Sequence, residues 1–321
     1  MALLEVENLQ TCFTGDRGEI RAVDGVTFSV DAGRTLGIVG ESGCGKSVTS
    51  LSVMGLLPAR GARIAGGSVR FKGVDLLELA ESARRDLRGN RLAMIFQEPL
   101  TSLNPAFTIG DQIMEGLIRH RQMSRTAARD AAIAMLRQVR IPAPEQRVDD
   151  YPHQLSGGMR QRAMIAMALA CGPELLIADE PTTALDVTVQ AQILDLLRDL
   201  QRDSGAAILL ISHDLGVIAE MADEVAVMYA GRVVEQAPVA RLFEAPQHPY
   251  TIGLLGSIPR LDYDQLQLAA IEGSVPDPSN PPPGCRFAPR CPFADTECHT
   301  AQPALRAIQP GHAVACRRAP L

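Results

Sequence analysis

The sequence contains almost no lysine, and its acidic residues outnumber its basic ones. Lys46 and Lys72 are the only lysines in the 321-residue chain, and a genome bias toward arginine codons explains most of this imbalance. The formal net charge is −6. Because a polyanion attracts basic surfaces, this charge argues against free nucleic acid as the main partner.

The sequence also lacks long apolar runs. The longest runs, such as residues 206–211, are far shorter than the roughly 20 residues that a helix needs to cross a bilayer. The first residues show no basic-then-apolar stretch, so we expect no secretion signal. A role at a membrane would therefore require separate membrane-spanning subunits.

Seven cysteines are present, and four of them crowd into the last part of the chain at Cys285, Cys291, Cys298 and Cys316. Without a secretion signal, a disulfide framework is a poor explanation, and a metal or cluster site is a better one. The spacing is not the tight Cys-x₂-Cys pairing of zinc ribbons. An iron–sulfur cluster, zinc with His299 and His312 nearby, and free thiols all remain open.

Short apolar strands and helices alternate along the chain, which predicts an α/β fold with a mostly parallel sheet covered by helices. Residues from about 100 to 170 are mostly helical, and residues 126–139 place Ala131, Met135, Leu136 and Val139 on one helical face. We predict a domain over residues 1–245 with a helical subdomain at about 98–170. The proline-rich residues 246–321 are predicted to form a small, irregular domain held together by its cysteines.

A phosphate-binding loop follows the predicted strand 35–39 and precedes the predicted helix 47–54. It matches the pattern G-x-x-x-x-G-K-[ST] over Gly40, Glu41, Ser42, Gly43, Cys44, Gly45, Lys46 and Ser47. Its glycines let backbone N–H groups point at phosphate oxygens. We expect Lys46 to reach the β- and γ-phosphates of a nucleoside triphosphate and Ser47 to bind Mg²⁺.

Two acids, Asp179 and Glu180, end the apolar strand 175–178. Acidic residues at a strand end often only face solvent, but the presence of a phosphate loop in the same chain favours a functional role for these two. Asp179 suits a contact with Mg²⁺, and Glu180 suits a general base that polarises the attacking water.

The turn Ser156-Gly157-Gly158 opens a predicted helix and adds a second set of backbone donors. One cleft does not need two phosphate cradles. We therefore expect the chain to share its nucleotide with a second copy or a relative.

The order and spacing of these motifs, with Gln97, Ala184-Leu185-Asp186 and His213, resemble an ATP-binding cassette (ABC) ATPase over residues 1 to about 245. The resemblance implies a P-loop NTPase core with a mixed sheet, an antiparallel β subdomain and a helical subdomain. It also implies a head-to-tail dimer that holds two ATP molecules between the phosphate loop of one subunit and the Ser-Gly-Gly turn of the other.

The same resemblance assigns roles to individual residues. Ser156, Gly157 and Gly158 would donate to the γ-phosphate across the interface, and Asp186 would organise that interface. Gln97 would contact Mg²⁺ and the attacking water, and His213 would contact the γ-phosphate. Phe13 is our choice for the aromatic residue that stacks on adenine.

A narrower resemblance links the chain to the oligopeptide/dipeptide permease branch. It rests on residues 97–105, on Tyr151-Pro152-His153-Gln154, on His248-Pro249-Tyr250-Thr251 and on the cysteine-containing tail. It implies a peripheral ATPase at the cytoplasmic face of the cell membrane, paired with a second ATPase that is identical or a paralogue. Two transmembrane permease subunits and an extracytoplasmic peptide-binding protein would complete the assembly. It also implies a [4Fe–4S] cluster on the four tail cysteines.

Other functions compete with peptide import. Relatives in this branch also carry nickel, glutathione and antimicrobial peptides. A soluble ABC ATPase acting on DNA or ribosomes fits poorly, because the sequence shows neither sustained heptads nor a second phosphate loop. An iron–sulfur sensor with a vestigial ATPase conflicts with the intact Lys46, Glu180 and His213.

Overall fold

The computed structural model describes residues 2–15, 18–183, 185–257 and 271–321. The described chain divides into two compact units. One unit comprises residues 30–34 and 78–211, and the other comprises residues 2–29, 35–77 and 212–321.

The strands, in chain order, are β1 (Ala2–Gly15), β2 (Gly18–Asp31), β3 (Thr35–Val39), β4 (Ala62–Phe71), β5 (Val74–Asp75), β6 (Leu92–Ile95), β7 (Leu175–Asp179), β8 (Ala207–Ile211), β9 (Glu224–Tyr229), β10 (Arg232–Pro238), β11 (Arg306–Gln309) and β12 (His312–Val314).

The helices are α1 (Lys46–Met54), α2 (Glu81–Leu87), α3 (Pro99–Ser102), α4 (Ile109–Arg121), α5 (Arg125–Gln138), α6 (Pro144–Arg147), α7 (Gly157–Leu169), α8 (Val187–Ser204), α9 (Leu215–Met221), α10 (Val239–Glu244) and α11 (Pro249–Gly256). Short 3₁₀ turns occur at Pro152–Gln154, Ala288–Arg290 and Thr296–His299.

The unit that contains the phosphate loop holds two groups of strands. Strands β2, β1, β4 and β5 lie side by side in an antiparallel sheet, in which β1 pairs with β4 and β4 with β5. In the second group β3 pairs in parallel with β9, and β10 and β12 extend it in antiparallel fashion. The last strand, β11, pairs with β12. The chain therefore returns near its C-terminus to add two strands beside β10.

The other unit combines a parallel three-stranded arrangement with most of the long helices. Strand β7 lies between β6 and β8, and every residue of these three strands is buried. Parallel strands covered on both faces consist of continuous apolar runs, which these sequences provide. Helices α4, α5 and α7 pack against one another, with α7 also against β6.

Most predicted elements are confirmed, including β3 with the predicted bounds. The predicted inward face of α5 is wrong in part. The fully buried positions are Ala128, Ala132 and Leu136, while Ala131 and Met135 are half-buried. The buried stripe follows the i, i+4 spacing through two alanines, whose small side chains allow neighbouring helices to approach closely.

The tail is proline-rich and mostly irregular, as predicted, although it includes α11 and the pair β11–β12. No helix in the described part of the chain is long and apolar enough to span a membrane.

Candidate functional site

The phosphate loop lies between buried β3 and the start of α1, and two of its glycines are required by the space around them. Gly40 has φ of 154°, and a Cβ there would collide with the carbonyl oxygen of Met228. Gly45 caps α1 with φ of 102°, and a Cβ there would collide with the carbonyl oxygen of Ala22. Only glycine fits such positions, so these two glycines hold the loop backbone in one conformation at the start of α1, where a helix N-terminus favours an anion.

The lysine of the loop is held by the loop itself. Lys46 is 5% exposed, and its Nζ donates to the carbonyl oxygens of Gly40 at 2.8 Å and Glu41 at 3.2 Å. Burial raises the pKa of the neighbouring Cys44 thiol, against the opposing charge of Lys46. Cys44 is therefore an inert small side chain at neutral pH, while Lys46 supplies the positive charge.

Glu180 lies directly after β7, in the unit that contains the helical region. Its φ of 47° is in the left-handed region, which is strained for a glutamate. The Glu180 carboxylate accepts hydrogen bonds from Gln97 Nε2 at 3.1 Å and from Thr183 Oγ1 at 2.8 Å. Asp179, one residue earlier, is 4% exposed. Two donors thus orient a carboxylate that the strained backbone holds beyond the strand end.

The Ser-Gly-Gly turn forms the N-terminus of α7. Ser156 is the N-cap, and its Oγ accepts from the Met159 backbone N–H at 3.4 Å. Ser156 and Gly157 are exposed, and a Cβ on Gly157 would meet no described residue within 4 Å beyond its neighbours and the backbone of α7. The exposed backbone N–H groups of this turn are available to an anion brought by another molecule.

Other predicted site residues lie on exposed or half-buried surfaces. Asp186 is the exposed N-cap of α8 and accepts from the Val189 backbone N–H at 2.9 Å. His213 is exposed just before α9, and Phe13 is half-buried in β1 opposite Ala62. Ala184, part of the same predicted motif as Asp186, lies outside the described residues.

The four tail cysteines come together around one small cavity, which Phe287 and Phe293 also line. None of the four forms a disulfide. Burial raises the pKa values of the Cys285, Cys291 and Cys298 thiols, so these cysteines favour the protonated form at neutral pH. Among the described residues, no three Cys, His, Asp or Glu side chains are grouped closely enough to hold one metal ion.

The two histidines named with the cysteines do not line this cavity. His299 is exposed, and the buried His312 contacts Glu235 through Nε2 at 2.8 Å. His248 does line the cavity, and burial lowers its pKa to about 3. Its Nδ1 accepts from the Tyr250 backbone N–H at 3.1 Å, so this histidine is neutral and caps α11.

Three contacts of the site residues were not predicted. Thr183 donates to Glu180 from three residues downstream, a spacing that a search for hydroxyls near the strand end would have found. Tyr250 and Arg290 both contact Glu41 of the phosphate loop. These two lie more than 200 positions from Glu41 in sequence, so no local pattern could have linked them.

Comparison with known families gives two matches along the chain. Residues 23–183 match the ABC transporter family, and residues 234–298 match the oligopeptide/dipeptide transporter C-terminal region. Among curated relatives, the "Probable peptide ABC transporter ATP-binding protein y4tR" of Sinorhizobium fredii is 58% identical over 98% of this chain and 95% of the relative. The oligopeptide transport ATP-binding protein AppD of Bacillus subtilis is 55% identical over 98% of this chain and 96% of its own length.

A solved structure supports the fold. The ATP-binding cassette MJ0796, determined as a dimer in a post-hydrolysis state bound to ADP and Pi, is 27% identical to the chain. The match covers 74% of this chain and 98% of that cassette, with a TM-score of 0.66.

Proposed function

Since this chain belongs to the ABC transporter family and hydrolyses ATP, we propose that it powers an importer of di- and oligopeptides. The proposal of a peptide cargo rests on one observation. The chain matches both the ABC transporter family and the oligopeptide/dipeptide transporter C-terminal region, and its relatives are named for peptide transport. The shared pattern extends beyond the ATPase core, so it supports a transport role of the peptide type.

The phosphate loop binds the triphosphate in this proposal. Gly40, Ser42, Gly43 and Gly45 would supply backbone contacts, and Lys46 would contact the β- and γ-phosphates. Glu41 and Cys44 shape the loop instead, because the Glu41 N–H donates to the Tyr250 hydroxyl and the Cys44 N–H donates to the Glu41 carbonyl. Ser47, Asp179 and Gln97 are oxygen donors of the kind that Mg²⁺ prefers, and they would hold that ion. When bound, Mg²⁺ neutralises charge on the phosphate oxygens.

Glu180 is the proposed general base. Gln97 and Thr183 both donate to its carboxylate, which keeps it oriented. A carboxylate in this state can accept a proton from the attacking water, while Gln97 positions that water. His213 would contact the γ-phosphate as its bond breaks.

The exposed Ser156 and Gly157 and the half-buried Gly158 are proposed to serve the nucleotide held by a second ATPase subunit in a head-to-tail dimer. Among the described residues, none beyond the neighbouring residues and backbone of α7 lies within 4 Å of a Gly157 Cβ, which supports this because the space is open to a partner. Asp186 would organise the dimer interface, and Phe13 would stack on adenine. The second subunit is either identical or a paralogue.

A groove on the helical region supports docking of membrane-spanning permease subunits. Phe107 and Ile118 are 53% and 41% exposed there, and Asp111, Glu115 and Arg119 line the same groove. Exposed large apolar side chains rimmed by charge are typical of protein interfaces. Two permeases docked in this way would place the chain at the cytoplasmic face of the membrane, with a peptide-binding protein on the other side.

We also propose that residues 1–245 form the ATPase domain, with its helical subdomain at about 98–170, and that residues 246–321 form a C-terminal domain. The four cysteines of that domain would hold a [4Fe–4S] cluster. Four cysteine thiolates are the donor set that such a cluster takes, and the four thiols lie around one cavity. When bound, the cluster would staple a domain that has little apolar core.

Transport by the reconstituted assembly tests the function. The chain should be co-purified with its permeases and second ATPase, placed in lipid vesicles and supplied with a binding protein and labelled peptide. Glu180→Gln should abolish ATP-driven peptide uptake, whereas Glu78→Gln, at an exposed position, should not. Uptake of nickel or glutathione but not of peptide would show that the transported substrate is not a peptide. Peptide uptake unaffected by Glu180→Gln would refute the assignment of Glu180 as the general base.

The metal content of the purified chain tests the cluster. Anaerobically prepared protein should contain iron and acid-labile sulfide, and Cys285→Ser should lose both, whereas Cys12→Ser, at a cysteine outside the tail, should keep them. Zinc in place of iron, or no metal in freshly prepared protein, would refute the cluster assignment.

A further inference from the structure

Glu41, the second residue of the phosphate loop, is held from three directions within its unit. Its backbone N–H donates to the Tyr250 hydroxyl at 2.9 Å, and its carbonyl oxygen accepts from Lys46 Nζ at 3.2 Å. Its carboxylate accepts from Arg290 Nη1 at 2.8 Å and Nη2 at 3.2 Å. The main chain and the side chain of Glu41 are thus both fixed by residues of the C-terminal region.

Arg290 uses all of its donors in this contact network. Besides its two bonds to Glu41, it donates to the Tyr229 hydroxyl at 3.3 Å, to the Ile271 carbonyl at 3.0 Å and to the Glu272 carbonyl at 2.9 Å. Its side chain is only 6% exposed. A guanidinium carries five N–H donors in a rigid plane, so a fully bonded and buried arginine fixes its partners far better than a flexible lysine could.

Aromatic packing holds both contact residues in place. The rings of Tyr229 and Tyr250 have centroids 4.6 Å apart, and Phe287 lies 5.2 Å from Tyr229 and 5.5 Å from Tyr250. Tyr250 is fully buried. Tyr250 therefore belongs to a packed aromatic cluster, and Arg290 is joined to the same cluster by its hydrogen bond to Tyr229.

We propose that Arg290 and Tyr250 are positioning residues for the phosphate loop, and that they set its affinity for ATP by fixing Glu41. Neither residue needs to contact the nucleotide. Arg290 fixes the Glu41 side chain, Tyr250 fixes the Glu41 backbone N–H, and Lys46 donates to the Glu41 carbonyl from within the loop. A cassette that lacks the C-terminal region would have to hold its loop by other means.

Titration of the full-length chain with a fluorescent ATP analogue tests this proposal. Arg290→Ala should raise the Kd about tenfold, since hydrogen bonds between charged groups are roughly twice as strong as neutral ones. Arg290→Lys should recover part of the affinity, and Tyr250→Phe should raise the Kd about threefold because it removes one neutral hydrogen bond. Arg318→Ala, which breaks a surface pair with Asp295, is the matched control and should bind normally.

A double-mutant cycle separates positioning from general stabilisation. If Arg290 acts through Glu41, Arg290→Ala should add no further loss to a Glu41→Ala background. In the assembled transporter, Arg290→Ala should raise the KM for ATP with kcat nearly unchanged. Wild-type affinity in Arg290→Ala, or losses that multiply in the double mutant, would overturn the proposal. If Arg290→Ala does not fold, wild-type affinity in Tyr250→Phe would overturn it equally.

Discussion

At the scale of single residues, the orientation of the Glu180 carboxylate depends on side chains that flank it. Thr183 Oγ1 donates to it at 2.8 Å. Thr183→Val keeps the shape but removes this donor, so kcat for ATP hydrolysis should fall about fivefold, as expected for the loss of about 1 kcal/mol. Steady-state kinetics of the assembled ATPase measure this, with KM for ATP expected to stay within about twofold.

The matched control for that change is Thr126→Val. Thr126 is exposed on α5, so this substitution should leave both kcat and KM unchanged. Equal kinetics for Thr183→Val and Thr126→Val would show that the threonine does not orient the base.

Single residues also show what sequence can and cannot predict. Gly40, Gly45 and Lys46 were predictable because a phosphate loop is a continuous pattern whose local geometry demands those residue types. Arg290 was not, since its contact with Glu41 arises only when a distant turn folds back onto the loop. The contact of His312 with Glu235 was not predictable for the same reason, because Glu235 lies on another strand.

At the scale of elements, the inward face of α5 determines how closely the helical region packs. Ala132 is fully buried, whereas Ala131 is half-buried. Ala132→Leu should destabilise the chain by about 1–3 kcal/mol through overpacking. Ala131→Leu, one position away, should cost less than about 0.5 kcal/mol.

Urea unfolding of the two variants measures this difference. Equal destabilisation by Ala131→Leu and Ala132→Leu would show that α5 does not bury Ala132 more deeply than Ala131. The wild-type chain and an exposed substitution such as Ala127→Leu provide the baseline.

The elements themselves were mostly predictable. Strands β3 and β7 are short, continuous apolar runs, and α1 directly follows the phosphate loop, so local sequence was sufficient. The rotation of α5 was not, because its face contains alanines that differ little in hydropathy from their neighbours. The pairing of β12 with β10 could not be predicted from local sequence either, since it joins segments far apart in the chain.

At the scale of the whole molecule, we expect ATP hydrolysis to require a second ATPase subunit, because the Ser-Gly-Gly turn at the start of α7 is proposed to serve a partner's nucleotide. The isolated chain should bind ATP but hydrolyse it slowly. Turnover per chain should rise with chain concentration if the second subunit is identical, or only after a paralogue is added if it is not. ATPase assays over a wide concentration range measure this, and a turnover that is high and independent of concentration in a monomeric chain would contradict it.

Gly157→Asp tests most directly our proposal that the turn at the start of α7 serves a nucleotide held by another subunit. An acid at a helix N-terminus is favourable for the helix, and in the described part of the chain no residue outside the start of α7 lies within 4 Å of a Cβ at this position. The isolated variant should therefore fold and bind ATP like the wild type.

In the assembled ATPase, the added negative charge should repel the partner's γ-phosphate, so turnover by Gly157→Asp should fall at least about tenfold, which corresponds to about 1.4 kcal/mol. The uncharged Gly157→Asn should be clearly less impaired. Unchanged turnover in the assembly, or loss of ATP binding by the isolated Gly157→Asp chain, would contradict the account.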